Sequence, residues 1–397
     1  MRKLAVLLLP LLAMADDWPQ WRGVNRDGKS AEKGLLRKWP AEGPKKLWAV
    51  KGLGEGYASF SVVKGVLYTA GQFGDMEKVL AFKVKDGEKL WEADAGGSFR
   101  ESRGHGPRGT PTIDGDKLYS LSADGTLVCL NIATGKKVWG YNILEKFGGG
   151  VPHWGISESP LVEGNKLIVM PGGSGASVVA LNKLDGSLIW KSQSDRAGYS
   201  SAIAFDQGGS RKLAVLSGQG AMGLEASSGE LLWRYDKVSN RTANIATPIY
   251  NEGRIFVSTA YGTGCALLNI PAKGEKMQEV YFNSEMQNHY NTSVLIGDYL
   301  YGASGNAAWI AMKWATGEVA WKERAVGKGM VLFADGMLFM QGEKGVLGIA
   351  EATPTGYNEL SKFTIKIGNY PLWTQPVLAN GVLYVRDQDD LMAFAVK

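Results

Sequence analysis

Apolar residues along this chain come in short runs, alternating with polar positions, and glycine-bearing turns separate the runs at close intervals. That rhythm predicts β-strands, and no helical pattern is long enough to compete with it. One eleven-residue pattern recurs five times: AFKVKDGEKLW (81–91), CLNIATGKKVW (129–139), ALNKLDGSLIW (180–190), GLEASSGELLW (223–233) and AMKWATGEVAW (311–321). Each copy has glycine at position seven, tryptophan at position eleven, and Asp, Thr or Ser before the glycine. The pattern predicts strand, tight turn, strand. The polar residue bonds local backbone, glycine takes the positive φ, and tryptophan begins the return strand.

A further hairpin precedes each copy, as in TPTIDGDKLYSLSADGTLVCL (110–130), so one unit is four antiparallel strands. Closing tryptophans stand 43 to 51 residues apart, except for one double gap between Trp233 and Trp321. Four strands per unit at this period predict an all-β, eight-bladed β-propeller. The double gap holds a degenerate blade, in which residues 271–274 replace the tight turn and Tyr281 stands for the tryptophan. A second degenerate unit spans 329–363, and the last unit has only three strands. KKLWAV (45–50) supplies its fourth, joining the N- and C-termini and removing an exposed edge. The closing aromatics are therefore Trp48, Trp91, Trp139, Trp190, Trp233, Tyr281, Trp321 and Phe363, expected to dock flat between blades.

Composition fits this picture. Fifty-three glycines in 397 residues suit many tight turns. Residues 1–15 combine Arg2 and Lys3, an apolar run and a small-x-small end, which reads as an export signal too short to span a bilayer. Its removal lowers the formal charge from +5 to +3, and no basic block suggests nucleic acid or a membrane surface. No cysteine stands near the cut for acylation, so no stable membrane anchor is expected, and the protein is read as a periplasmic or secreted monomer. Cys129 and Cys265 lie in apolar strands and read as buried small residues, with a disulfide as the alternative. Residues 16–44 form an arm before the propeller at 45–397, and WPQWRGVNRDG (18–28) reads as aromatic packing that fixes the closing strand.

The motif A-x-[DN]-x-x-[TDS]-G-x-x-x-W, repeated around a ring of eight, resembles the tryptophan-docking motif of quinoprotein-type propellers, the pyrroloquinoline quinone (PQQ)-like repeat family. WPQWRG-x-NRDG is similar to the leader of its secreted bacterial branch. The resemblance implies either a dehydrogenase that uses PQQ and Ca²⁺ or a binding scaffold. A cousin in the same superfold is the lipoprotein scaffold of the outer-membrane β-barrel assembly machine. The chain lacks the adjacent cysteine pair and long roofing insertions usual in the dehydrogenases, and has no haem-attaching C-x-x-C-H. Binding or scaffolding through rim loops is therefore the expected role, with no cofactor required. The alternative is a PQQ- and Ca²⁺-dependent oxidation of an alcohol or sugar, with Glu158 and Asn244 as metal candidates.

Function in such a ring belongs to the segments joining one blade to the next. These carry all three histidines, His105, His153 and His289, and a set of arginines, Arg100, Arg103, Arg108, Arg196 and Arg241. Two readings of the arginines stand: a focused ring for a small anionic ligand or acidic peptide, or ion pairs with Glu101, Glu158 and Asp195. The histidines read as rim residues bonded to neighbouring loops, with a shared metal as the alternative. Trp154 and Trp373, outside the closing series, are an aromatic floor or plain packing. Arg103, His105, Arg108, His153, Trp154, Glu158, Tyr199, Asn244, His289 and Trp373 are the candidate site residues. No nucleophile elbow, phosphate loop or zinc-binding helix motif is present.

Overall fold

The computed structural model describes residues 17–271, 277–305 and 307–397; the export signal read at 1–15 and most of the turn read at 271–274 lie outside them. Among the described residues the strands form eight four-stranded sheets. Blade 2 shows the plan: Thr112–Asp114, Lys117–Leu121, Thr126–Asn131 and Lys137–Asn142 follow one another in sequence and in space, each antiparallel to the last. First strands of adjacent blades touch, which sets them around an axis with the fourth strands outermost. Blade 7 keeps all four strands despite its degraded pattern, ending in Glu359–Thr364. Blade 8 is built from both termini: Lys46–Lys51 pairs with Asp390–Ala395, setting Trp48 opposite Ala393.

Alternation along a strand sends successive side chains to the two neighbouring blades. Tyr119, Leu121 and Cys129 of blade 2 cluster with Leu167, Val169 and Leu181 of blade 3. Leu118 and Leu130 of the same sheet face Tyr68 and Ala81 of blade 1. The apolar core is thus divided into layers between blades, and cooperation passes around the ring. Both cysteines are buried and free in such layers.

The repeat now has a physical reason. Its first residue is small because it lies opposite the tryptophan: Ala81 faces Trp91, Cys129 faces Trp139 and Ala180 faces Trp190. The indole then reaches onto the next blade. Trp48, Trp91, Trp139 and Trp190 donate their N–H groups to Val84, Ile132, Lys183 and Ala226 carbonyls at 2.9 to 3.2 Å. Each ring covers that blade's position-seven glycine, where a Cβ on Gly87, Gly135, Gly186 or Gly229 would stand 2.5 to 2.9 Å from ring atoms. Tyr281 covers Gly317 in the same way, and Phe363 covers Gly43 of the arm. Trp321 donates to the Thr353 carbonyl at 2.8 Å, and Trp233 is buried. Trp48, Trp91, Trp139 and Trp321 remain partly exposed, so docking buries less of them than flat enclosure would.

Gly186 therefore meets two demands, a φ of +73° and the Trp139 ring, whereas Gly164 has a φ of +59° and open space around its missing Cβ. Gly186→Ala is expected to cost roughly 1–3 kcal/mol more than Gly164→Ala, read as the difference in urea midpoints. Equal costs would mean that the glycine serves only the turn.

The arm does more than guide the closing strand. It enters from the face carrying the 1–2 turns, where the Lys64 N–H donates to Asp17, and it bonds to all eight blades. Trp18 bridges Val62 of blade 1, and the Ile113 N–H of blade 2 donates to the Pro19 carbonyl at 2.8 Å. Arg26 donates to the carbonyls of Ser159 at 3.1 Å and Ala202 at 3.0 Å, which precede blades 3 and 4. The Trp21 N–H meets Thr247 before blade 5 at 3.0 Å, and Arg22 meets the Ser293 carbonyl before blade 6 at 2.7 Å. The Ser30 N–H donates to the Phe333 carbonyl of blade 7, and Glu32 accepts from Gly381 of blade 8. Leu35 and Trp39, with Trp18, complete the largest apolar cluster, which joins blades 7, 8 and 1. The arm is a hub set in the axis of the ring.

No helix among the described residues is long and apolar enough to cross a membrane.

Candidate functional site

In an antiparallel blade the connector from strand 4 to the next blade and the hairpin between strands 2 and 3 emerge on the same face. Both line a cavity of about 770 Å³ at the mouth of the ring. Beneath it lie Trp21 of the arm and residues that open the first strands, among them Ser201, Thr247 and Thr292. The hub thus closes the axis below the cavity.

Six of the expected residues line this space: Arg103, Arg108, Trp154, Tyr199, His289 and Trp373. Trp373 packs its ring 5.2 Å from Tyr290 and 5.6 Å from Tyr57, and its N–H donates to the Glu343 carboxylate at 3.0 Å. Across the mouth, Trp154 lies 5.7 Å from Tyr199. Trp154 and Trp373 are both partly exposed, and Tyr261 is 45% exposed. His105 accepts the Glu101 N–H at 3.2 Å and packs on Tyr370, at the cavity's edge. His153 and Asn244 line a second recess of about 270 Å³ that shares Tyr199 and Thr242 with the first. Arg196 and Arg241 line it too, and none of its lining side chains is acidic.

The charges divide into two classes. Arg108 is committed: it pairs with Glu101 at 3.2 Å, donates to the Gly104 carbonyl at 2.8 Å and lies over Phe99. Asp195 pairs with Arg234 at 2.9 Å, and Glu158 lies near Arg26, so neither partners the rim arginines as one reading expected. Arg100 donates to the Gly74 carbonyl at 3.1 Å and reaches the exposed Asp75 at 3.4 Å. Arg103, Arg241 and Lys344 have exposed side chains with no ion-pair partner among the described residues, and Arg196 is held only by backbone and Gln219. Lys328, half buried over Tyr290, is drawn below the usual lysine range by desolvation, with Glu343 opposing. The mouth therefore keeps cations that its own carboxylates do not neutralise.

The three histidines are not gathered. Among the described residues no group of three or more His, Cys, Asp or Glu side chains could hold a metal ion. His289 Nε2 lies 2.7 Å from the Tyr261 hydroxyl, and desolvation pulls its imidazole down to about 4, so it is neutral at neutral pH. Burial raises the Tyr261 phenol above its ordinary range, so the pair offers no ionised nucleophile.

Glu158 and Asn244, the metal candidates, are both bonded to neighbouring loop backbone. The Glu158 carboxylate accepts the Met170 N–H at 2.5 Å, and burial pushes it up to about 8, so its protonated form prevails at neutral pH. Asn244 donates to the Ser217 carbonyl and accepts from the Asn240 N–H, both at 2.9 Å. Each is engaged in holding loops.

Sequence reading missed Tyr57, Tyr261, Tyr290, Lys328, Glu343 and Trp21 as lining residues. Tyr261 and Glu343 sit in 2–3 hairpins, where only the antiparallel geometry of a blade reveals that they share the connectors' face.

The sequence model of a family described as outer membrane protein assembly factor BamB matches residues 75–323. The protein of that name from Shewanella oneidensis is 24% identical over 60% of this chain and 61% of its own length. The quinoprotein alcohol dehydrogenase PedH of Pseudomonas putida is 31% identical over 32% of this chain and 21% of its own. This chain thus spans about three fifths of one curated relative and one fifth of the other. The crystal structure of BamB from Moraxella catarrhalis aligns with a TM-score of 0.68 at 15% identity, covering 89% of this chain and 99% of that one, a likeness of fold. Matched over well more than half its length, the chain belongs to the PQQ-like repeat family described as outer membrane protein assembly factor BamB.

Proposed function

We propose that this protein is a non-catalytic binding and scaffolding propeller of the cell envelope that holds a partner protein on its mouth face. One observation carries the reading: the mouth is a preformed, aromatic-lined concavity that keeps exposed cations, Arg103 and Lys344, without an ion-pair partner among the described residues. A rigid ring with its axis filled by its own arm offers a fixed surface and no moving lid. The Shewanella oneidensis relative is named as an assembly factor of the outer membrane, and the export signal read at 1–15 directs this chain to the same side of the inner membrane.

Site-specific cross-linking tests this. Both native cysteines are buried, so a cysteine placed at Lys344 on the mouth, or at Lys137 on an outer strand, takes a maleimide-benzophenone label selectively. Irradiation in the cell envelope is expected to give a discrete protein adduct from Lys344→Cys and none from Lys137→Cys. Adducts of equal yield at both positions, or dye-linked alcohol oxidation once PQQ and Ca²⁺ are added, would overturn the proposal.

A further inference from the structure

We infer that the mouth cavity and its side recess bind an anionic oligosaccharide, with sugar rings against Trp154 and Trp373 and carboxylate or sulfate groups on Arg103 and Arg241. The inference rests on the mouth being the working surface, and it names the chemistry of what the cavity itself takes.

Three features select this ligand. First, the aromatic walls are amphipathic. Trp373 with Tyr57 and Tyr290, and Trp154 with Tyr199, present ring surface that suits the C–H face of a pyranose. Second, the charge is predominantly cationic. Of the acidic lining residues, Glu101 is paired with Arg108, and Glu343, which accepts the Trp373 N–H, has its charge beside Lys328, while Arg103, Arg241 and Lys344 stand exposed. Guanidinium is the side chain best shaped for carboxylate or sulfate oxygens.

Third, the lining favours sugar over an acidic peptide. The arm meets the inner edges of first strands, as where Val62 bridges Trp18 and the Ile113 N–H donates to the Pro19 carbonyl, and the first strands point their ends at the cavity. An extended peptide would find no strand edge there to pair with its main chain. A saccharide carries its hydrogen-bonding groups on its periphery, where the hydroxyls of Ser157, Thr242 and Thr292 meet it. The cavity, about 770 Å³, continues through Tyr199 and Thr242 into the recess of about 270 Å³, a run that suits several linked rings.

Calorimetric titration of the purified chain uses four probes: tetragalacturonate, a chondroitin sulfate hexasaccharide, maltoheptaose and a ten-residue polyglutamate. At least one anionic saccharide is expected to bind with a Kd below about 1 mM, at least tenfold more tightly than maltoheptaose. Raising salt from about 50 to about 300 mM should weaken it several-fold. Binding of both anionic saccharides assigns the carboxylate as the recognised group, and binding of the sulfated one alone assigns the sulfate. Arg103→Ala, an exposed change that leaves the fold intact, should weaken binding about tenfold, as should Trp373→Ala, with partial rescue by Trp373→Phe. The inference fails if neither anionic saccharide binds at about 5 mM, if polyglutamate binds equally well, or if Arg103→Ala changes nothing. A mouth-specific protein adduct from Lys344→Cys alongside absent saccharide binding would remove this inference and leave the scaffold reading standing.

Discussion

Arg26→Ala is expected to lower the stability of the ring by roughly 3–5 kcal/mol, the cost of stripping the donor from a buried cage of acceptors. Arg26 is 3% exposed and sits at a φ of 56°, a left-handed turn that aims its side chain into the axis. Its guanidinium donates to the Gln20 side chain at 2.8 Å, to the Ser159 and Ala202 carbonyls, to the Pro160 carbonyl and, at 3.4 Å, to the Thr112 hydroxyl. Four of those five acceptors come from blades 2, 3 and 4 or the connectors just before them, so one planar cation holds three blades in register. The fork of donors is preorganised for such a cage, and a buried charge is tolerated because every face of it is bonded.

The substitutions around this one separate its causes. Arg26→Lys keeps the charge but offers a single ammonium, which cannot span acceptors in several blades, and is expected to recover less than half of the loss. Arg26→Met restores volume without donors and should stay near the alanine value, since the exposed orphans are the carbonyls. Arg37→Ala, which removes a half-exposed pairing with Glu351, is expected to cost no more than about 1 kcal/mol. Urea unfolding followed by tryptophan fluorescence reads all four. An Arg26→Ala protein within about 1 kcal/mol of the parent would show that the hub is held by its other contacts, such as Arg22 and the apolar anchors Trp18, Leu35 and Trp39.

How much of this was legible depends on whether a residue's role repeats. The tryptophan-to-glycine spacing recurs, so the blades, their number and the closure through Trp48 could be read directly. That the Trp48, Trp91, Trp139 and Trp190 indoles sit on the next blade's glycine could not, because periodicity is silent on which unit a side chain reaches. Arg22 and Arg26 occur once, in a segment whose polar composition resembles a solvated linker, so the hub was invisible. Arg386 was hidden for the same reason. It donates to the carbonyls of Ala58, Ala70 and Gly54, stitching blade 8 to blade 1. Rim chemistry was legible where connectors carry it, as at Arg103, Trp154 and Trp373. It was missed in the hairpins, as at Tyr261 and Glu343.

Glu158 should make the protein less stable as pH rises. Burial among loop backbone raises its folded-state carboxyl to about 8, with the Met170 N–H and the charge of Arg26 opposing that shift. In the unfolded chain the same group ionises near 4.3, an ordinary glutamate value, so between those limits the folded state holds the proton that the unfolded state has lost. With more protons bound in the folded state, stability declines as pH climbs from about 5 and levels off above about 8, a loss bounded at roughly 5 kcal/mol. Glu77, buried beside the Ala123 N–H and raised to about 8 by desolvation, adds a decline of the same sign. Glu158→Gln keeps the shape and an oxygen for the Met170 N–H but cannot ionise. It is expected to match the parent near pH 5 and exceed it by a few kcal/mol near pH 8.5, with Glu77→Gln flattening the remaining slope. Unfolding free energies of parent and variant, measured across that range, give a difference curve that isolates Glu158 from every other titrating group. A flat curve would mean that Glu158 is ionised in the folded ring, with Arg26 as its counter-charge, and would reopen the question of whether that carboxylate holds a cation.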